Sequence, residues 1–275
     1  MANPVFNRAD AFNGRTAVQP VNPYAQPGYA APSAAELGTM YQAPSASPVD
    51  TGRLTYEDVL IKSIGMLAVL LVGATFGWVF APVVFGMIWF AAIAALALGL
   101  VNSFKREPSP VLITLYAILE GVFVGCLSRL YNIAWDGIVL QAVIASLAVF
   151  GTMLALFASG KVRATAKGTK IMLGLMLGYI VFSIINCILM VTGAVTDPWG
   201  LRTSLTIFGL PLGVVLGVLV VALAAYSFVV DFDAIQRGVR GGAPARYAWT
   251  AAFGLLVTLV WLYLEILRLL AILRR

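Results

Sequence analysis

The chain has 275 residues, of which 61 % are hydrophobic and only 11 % charged, and it carries a net charge of +6. An ordinary soluble domain holds about 25 % charged residues, so this composition excludes that class and predicts an all-α membrane protein. Histidine is absent, which removes histidine triads, HExxH zinc sites and imidazole pH switches from consideration.

Residues 1–55 are rich in Pro, Ala, Gly, Ser, Gln and Tyr and show no helical or strand period. Such a stretch has too little apolar mass to fold alone and is predicted to be a disordered N-terminal tail. Residues 56–275 are expected to form a seven-transmembrane-helix bundle. Its apolar segments lie at about 61–80, 83–104, 110–130, 137–158, 170–194, 204–231 and 248–272, each near the ~20 residues that cross a ~30 Å hydrocarbon core. No charged n-region with a short h-region and cleavage site precedes the first of them, so that helix is expected to direct its own insertion.

Between the segments the cations alternate. Lys105 and Arg106 follow the second, Lys161, Arg163, Lys167 and Lys170 follow the fourth, and Arg237, Arg240 and Arg246 follow the sixth, whereas the opposite loops hold only Arg129 and Arg202. The positive-inside rule places the tail and the three basic loops in the cytoplasm and the C-terminus outside. Arg268, Arg274 and Arg275 then face outward, which leaves a last segment that dips in and returns as an alternative. With the cations acting as topology signals, no nucleic-acid partner is expected; the partner is the lipid bilayer. Arginine outnumbers lysine and Ala and Gly are abundant, as in GC-rich bacteria, and a bacterial plasma membrane is the expected location.

Small residues recur at every fourth position: Gly73 and Gly77, Gly121 and Gly125, Gly174 and Gly178, and Gly209, Gly213 and Gly217. This spacing lets helix backbones approach closely and predicts a compact bundle. Pro211 is expected to kink the sixth helix between two of these glycines. Cys126 and Cys187 lie in apolar runs without CxxC spacing and read as buried small hydrophobes. No cofactor is expected.

Acids inside hydrocarbon cost roughly 2.5–3.5 kcal/mol at a helix centre and mark ion or proton routes. Three places qualify: Glu120 in the third segment, Asp231 and Asp233 at the end of the sixth, and Glu265 in the seventh. Asp233 stands four residues before Arg237, and Glu265 three before Arg268, so either acid can be satisfied within its own helix. Glu120 has no Lys or Arg within four residues and must be protonated or find a partner on another helix. Two residues turn a helix by about 200°, so at most one of Asp231 and Asp233 points into the bundle.

The stretches "YAILEGVFVGCLS", "VVDFDAI" and "AAFGLLVTLVWLYLEILRLL", together with the N-terminal "NPVF", resemble the Bax inhibitor-1 family in its bacterial YccA-like, actinobacterial branch, over about residues 50–275. The resemblance implies a seven-helix bundle that leaks cations, calcium above all, under the control of a pH-sensitive carboxylate pair on the last two helices. It puts that pair, and a transient calcium site, on Asp233 and Glu265, with Asp231, Glu120, Arg237 and Arg268 as neighbours. Two departures stand out: the second acid is Glu, and the pair is about seven residues further apart than in most relatives, which is ~10 Å of helix. Two carboxylates sharing a site resist ionising together, so such a pair holds a proton between helices, and its oxygens suit a hard cation.

The reading is therefore a pH-sensitive calcium leak channel. The alternative is a regulatory or scaffold protein that binds another membrane protein, such as a protease or survival factor. An enzyme is not expected, because neither YD nor GxGD of intramembrane aspartyl proteases occurs. A proton-coupled transporter is disfavoured by the lack of an internal repeat. Oligomeric state is open.

Overall fold

The computed structural model describes Ser33 and residues 52–81, 86–197, 199–207 and 209–274. Most of the tail expected over 1–55 thus lies outside the described residues. The order of elements is α1 (Tyr56–Phe80), α2 (Met87–Phe104), α3 (Pro110–Ala134), α4 (Ile138–Ala158), α5 (Ala166–Val191), a four-residue α6 (Leu201–Ser204), β1 (Thr206–Ile207), β2 (Leu210–Pro211), α7 (Leu212–Arg240), a 3-10 turn (Ala245–Tyr247) and α8 (Ala248–Leu273). Among the described residues, α1, α3, α4, α5, α7 and the 245–273 helix are long and apolar enough to cross a membrane, and 88–104 is a shorter apolar helix. Helices dominate because hydrocarbon offers backbone N–H and C=O groups no other partner.

Helix ends follow local chemistry. α1 begins at Tyr56, earlier than the apolar run, because Thr55 closes a capping box: Asp58 N–H donates to Thr55 Oγ1 at 3.0 Å, and Thr55 N–H returns a bond to Asp58 Oδ2 at 3.3 Å. Pro110 opens α3 at its first turn, where its missing N–H costs nothing. α5 is capped by Thr165, which accepts from Gly168 N–H at 3.1 Å. The kink expected at Pro211 does not occur. Pro211 is the N-cap of α7 and pairs with Thr206 in a two-stranded hairpin; Gly209 turns that hairpin with φ of 78°, a left-handed conformation only glycine adopts readily. At its other end α7 continues to Arg240, well past the apolar run.

The core is the α7/α8 pair, wrapped by α1, α3 and α4, while α2 leans on α3 and α5 touches mainly α7. Aromatic contacts tie the layers. Phe150 of α4 meets Phe228 of α7 edge-on at 5.1 Å, and Tyr116 of α3 meets Phe253 of α8 at 5.0 Å. α8 is unbroken, and Arg274 at its end donates to Asp136 O at 2.8 Å and Gln141 Oε1 at 2.7 Å; it does not dip and return. At the other end of the bundle, Leu54 N–H donates to Ala243 O at 2.6 Å and Ala245 N–H to Gly52 O at 2.8 Å, so the chain entering α1 is laced to the α7–α8 turn. Arg246 pairs with Glu107 at 3.1 Å, and Arg163 donates to Gln236 at 3.1 Å, which gathers the basic loops at this same end.

The glycines divide. A Cβ on Gly73, Gly77, Gly121 or Gly125 would strike backbone of the facing helix, respectively Ile118, Val122, Leu70 and Ala74 carbonyl oxygens, so α1 and α3 meet backbone to backbone. Gly213 and Gly217 face Ile272 and Leu269 of α8. Gly174 and Gly178 have nothing within 4 Å of such a Cβ: α5 is peripheral and buries few residues. Cys126 is buried with its Sγ 3.2 Å from Gly77 O, but Cys187 is exposed on α5. Thermal unfolding in detergent checks this division: Gly125→Val should cost upwards of about 3 kcal/mol because backbone cannot yield, whereas Gly174→Ala should stay within about 0.5 kcal/mol of the parent.

Candidate functional site

Polar side chains converge at two levels on α8. The first is Asp231, 1 % exposed, flanked on α7 by Val230 and Phe232. Thr258 of α8 lies against it, with Oγ1 2.7 Å from Asp231 Oδ2 and 3.1 Å from Gly254 O. A hydroxyl has one proton to give. Both contacts are satisfied together when Asp231 carries a proton and donates it to Thr258 Oγ1, which leaves the hydroxyl proton for Gly254. An ionised Asp231 takes the hydroxyl proton for itself. The bond between the two core helices therefore changes form with the charge of one carboxyl.

The second level surrounds Glu265, 4 % exposed. Tyr179 of α5 donates its phenol proton to Glu265 Oε1 at 2.9 Å and accepts from Arg202 Nη1 at 3.2 Å and from Arg268. Arg268 also forms an ion pair with Glu265, and Trp261 Nε1 donates to Glu265 Oε1 at 3.3 Å. Arg202, 6 % exposed, is held further by Ser183 Oγ at 3.0 Å and by the Tyr179 and Phe182 rings at 5.3 and 5.6 Å. The loop carrying it is pinned by Asn186, which accepts from Leu201 N–H at 2.6 Å. Two guanidinium groups and one carboxylate thus share a single phenol where α5, α6 and α8 meet, at the end of the bundle away from the basic loops.

The expected pair of Asp233 and Glu265 is not assembled. Asp233 turns outward and pairs with Arg237 one turn on, in its own helix. Of the two aspartates the inward one is Asp231. Thr258, seven residues before Glu265, occupies the place opposite it; because α7 and α8 are antiparallel, Asp233 and Glu265 are offset by roughly 13 Å along the axis. Their separation also removes the calcium site expected on them, and no group of three or more acids and cysteines forms among the described residues. Glu120 is half-buried on α3 and joins neither level. Arg268 belongs to the Glu265 cluster, and Arg237 to the outward Asp233.

Thr258, Tyr179 and Arg202 escape a search for charged residues in apolar runs: two are neutral, and the third reads as a loop cation. Replacing Tyr179 by Phe removes the acceptor shared by both guanidinium groups and the donor to Glu265. Denaturant unfolding should show a loss of about 1.5–3 kcal/mol, and limited trypsin digestion should open the Arg202–Thr203 bond that the parent protects.

A family model described as Bax inhibitor 1 like matches residues 3–275, beginning at the asparagine of the N-terminal "NPVF". No curated protein matches the chain.

Proposed function

Because the chain belongs to the Bax inhibitor 1-like family, we propose that this multi-pass membrane protein is a pH-sensitive cation leak of the bacterial plasma membrane, passing calcium, with Asp231 as its proton-sensing group. In this reading α2 also spans: its 18 residues give ~27 Å, close to the ~30 Å core. The tail and the basic loops face the cytoplasm, as their cations favour.

The observation that carries the reading is the Asp231–Thr258 contact across α7 and α8. Of the elements packed on α7, α4 brings no titratable side chain, α5 brings Lys167, Lys170, Tyr179 and Cys187, α6 brings Arg202, and α8 brings Tyr263, Glu265 and Arg268. Tyr179, Glu265 and Arg268 are committed to one another. With its proton, Asp231 joins the two helices through neutral hydrogen bonds. Without it, the buried site gains a negative charge, which favours the arrival of a positive one. A hard cation taking carboxylate and hydroxyl oxygens supplies that charge. Flux should therefore rise with pH, since proton loss creates the attraction for the ion. The Glu265 cluster, net positive, forms a barrier at the other level that its hydrogen bonds hold shut.

Vesicles loaded with a calcium dye test this across roughly pH 6–8. The parent should admit calcium increasingly as pH rises, Asp231→Asn should lose that response, and Asp233→Asn should keep it. If the parent matches empty vesicles throughout, the leak reading fails. If Asp233→Asn rather than Asp231→Asn removes the response, the assignment of the sensor fails.

A further inference from the structure

A cavity of about 430 Å³ lies apart from both polar levels, between α1 and α4, with α3 and α8 as its floor. Its walls open sideways: Leu71 on one and Leu147 on the other are 55 % and 51 % exposed, so the cleft is continuous with the apolar surface that meets lipid. Water has little hold in it. Four hydroxyls reach the lining, and each is already bonded: Ser128 and Tyr263 to one another at 2.6 Å, Ser146 to Ala142 O at 2.7 Å, and Thr75 to Leu71 O at 2.8 Å. A cavity whose polar atoms are spoken for, and whose remaining walls are apolar, stays dry and favours hydrocarbon.

Its length and its end identify the hydrocarbon. Along α1 the lining runs from Leu67 to Trp78, which is about 16 Å of helix, or half of a ~30 Å bilayer core. That is the depth of one leaflet. Trp78 stands two residues from the end of α1, at the level where aromatic residues mark the membrane surface. Beside it is Arg129, next in sequence to Ser128 of the floor. Its Nη1 donates to Trp78 O at 3.3 Å, its Nε is buried without an acceptor, and no acid pairs with it among the described residues. A guanidinium in this state lacks an anion, and its planar fork fits the oxygens of a phosphate.

The geometry points to a binding site for one anionic phospholipid, an acyl chain lying in the α1/α4 cleft and the headgroup phosphate on Arg129. The lining includes neither Asp231, Thr258 nor Glu265, so the site stands whether or not the protein conducts ions. A bound chain fills a gap that would otherwise leave α1 and α4 without contact over one leaflet, and it ties the annular lipid to α3 and α8 in the centre of the bundle.

Spin-labelled phosphatidylglycerol and phosphatidylcholine in vesicles containing the whole protein give the test. The parent should show a motionally restricted component with phosphatidylglycerol in clear excess over phosphatidylcholine. Arg129→Gln should weaken the phosphatidylglycerol component about tenfold, the effect of one lost charge-assisted contact, and leave phosphatidylcholine unchanged. Val143→Trp, on the half-exposed α4 wall of the cleft, should exclude both. Equal restriction of the two lipids by the parent overturns the proposal, as does a phosphatidylglycerol component that survives both substitutions. Displacement by a free fatty acid at the same concentration as phosphatidylglycerol overturns the phospholipid assignment. Unchanged unfolding midpoints for both variants establish that the lipid readout does not come from misfolding.

Discussion

A charged or polar atom placed in hydrocarbon has no solvent to fall back on, and every unusual feature of this bundle traces to that demand. Asp231 is tolerable at 1 % exposure because Thr258 reaches it from the neighbouring helix. Glu265 is tolerable because Tyr179, Trp261 and Arg268 enclose it. The same rule shapes the backbone: α1 and α3 lie so close at Gly73, Gly77, Gly121 and Gly125 that their carbonyls face bare Cα atoms, and packing of that kind replaces the hydrophobic effect, which gives helices no reason to associate within lipid.

The two polar levels differ in what they can do. Asp231 and Thr258 form a small neutral-or-anionic unit with a single exchangeable proton at issue. Around Glu265 the carboxylate is already met by Arg268, and the phenol of Tyr179 is bonded to Glu265, Arg202 and Arg268. The first is suited to change and the second to resist it. About 10 Å of α8 separates them, spanned by the face that carries Tyr263 with its bond to Ser128 of α3. A movement of α8 relative to α7 is thus felt by α3 at the midpoint and by α5 at the far end.

Much of the fold is legible in the sequence because apolar length alone defines a spanning helix. The segments written from hydropathy fall on the observed helices, and the family resemblance is confirmed over residues 3–275. The errors lie where a local rule outranks hydropathy: the Thr55 and Asp58 capping box that starts α1 early, and the hairpin that turns Pro211 from a kink into a cap. Site residues were harder to read for a different reason. The rotation between Asp231 and Asp233 shows that one faces inward, but which one depends on the register of α7 against α8, and only tertiary contacts fix that. Glu265 stands two turns beyond Thr258, the residue that faces Asp231.

The lacing of residues 52–54 onto 243–245 joins stretches far apart in the chain. Among the described helices, α1 is made well before α8, one of its main neighbours. Until α8 is inserted, α1 has α3 to pack on, through the glycine contact, but the edge destined for α8 is uncovered and residues 52–54 lack their partners at 243–245. Assembly of this bundle therefore has a closing step that waits until α8 has been made.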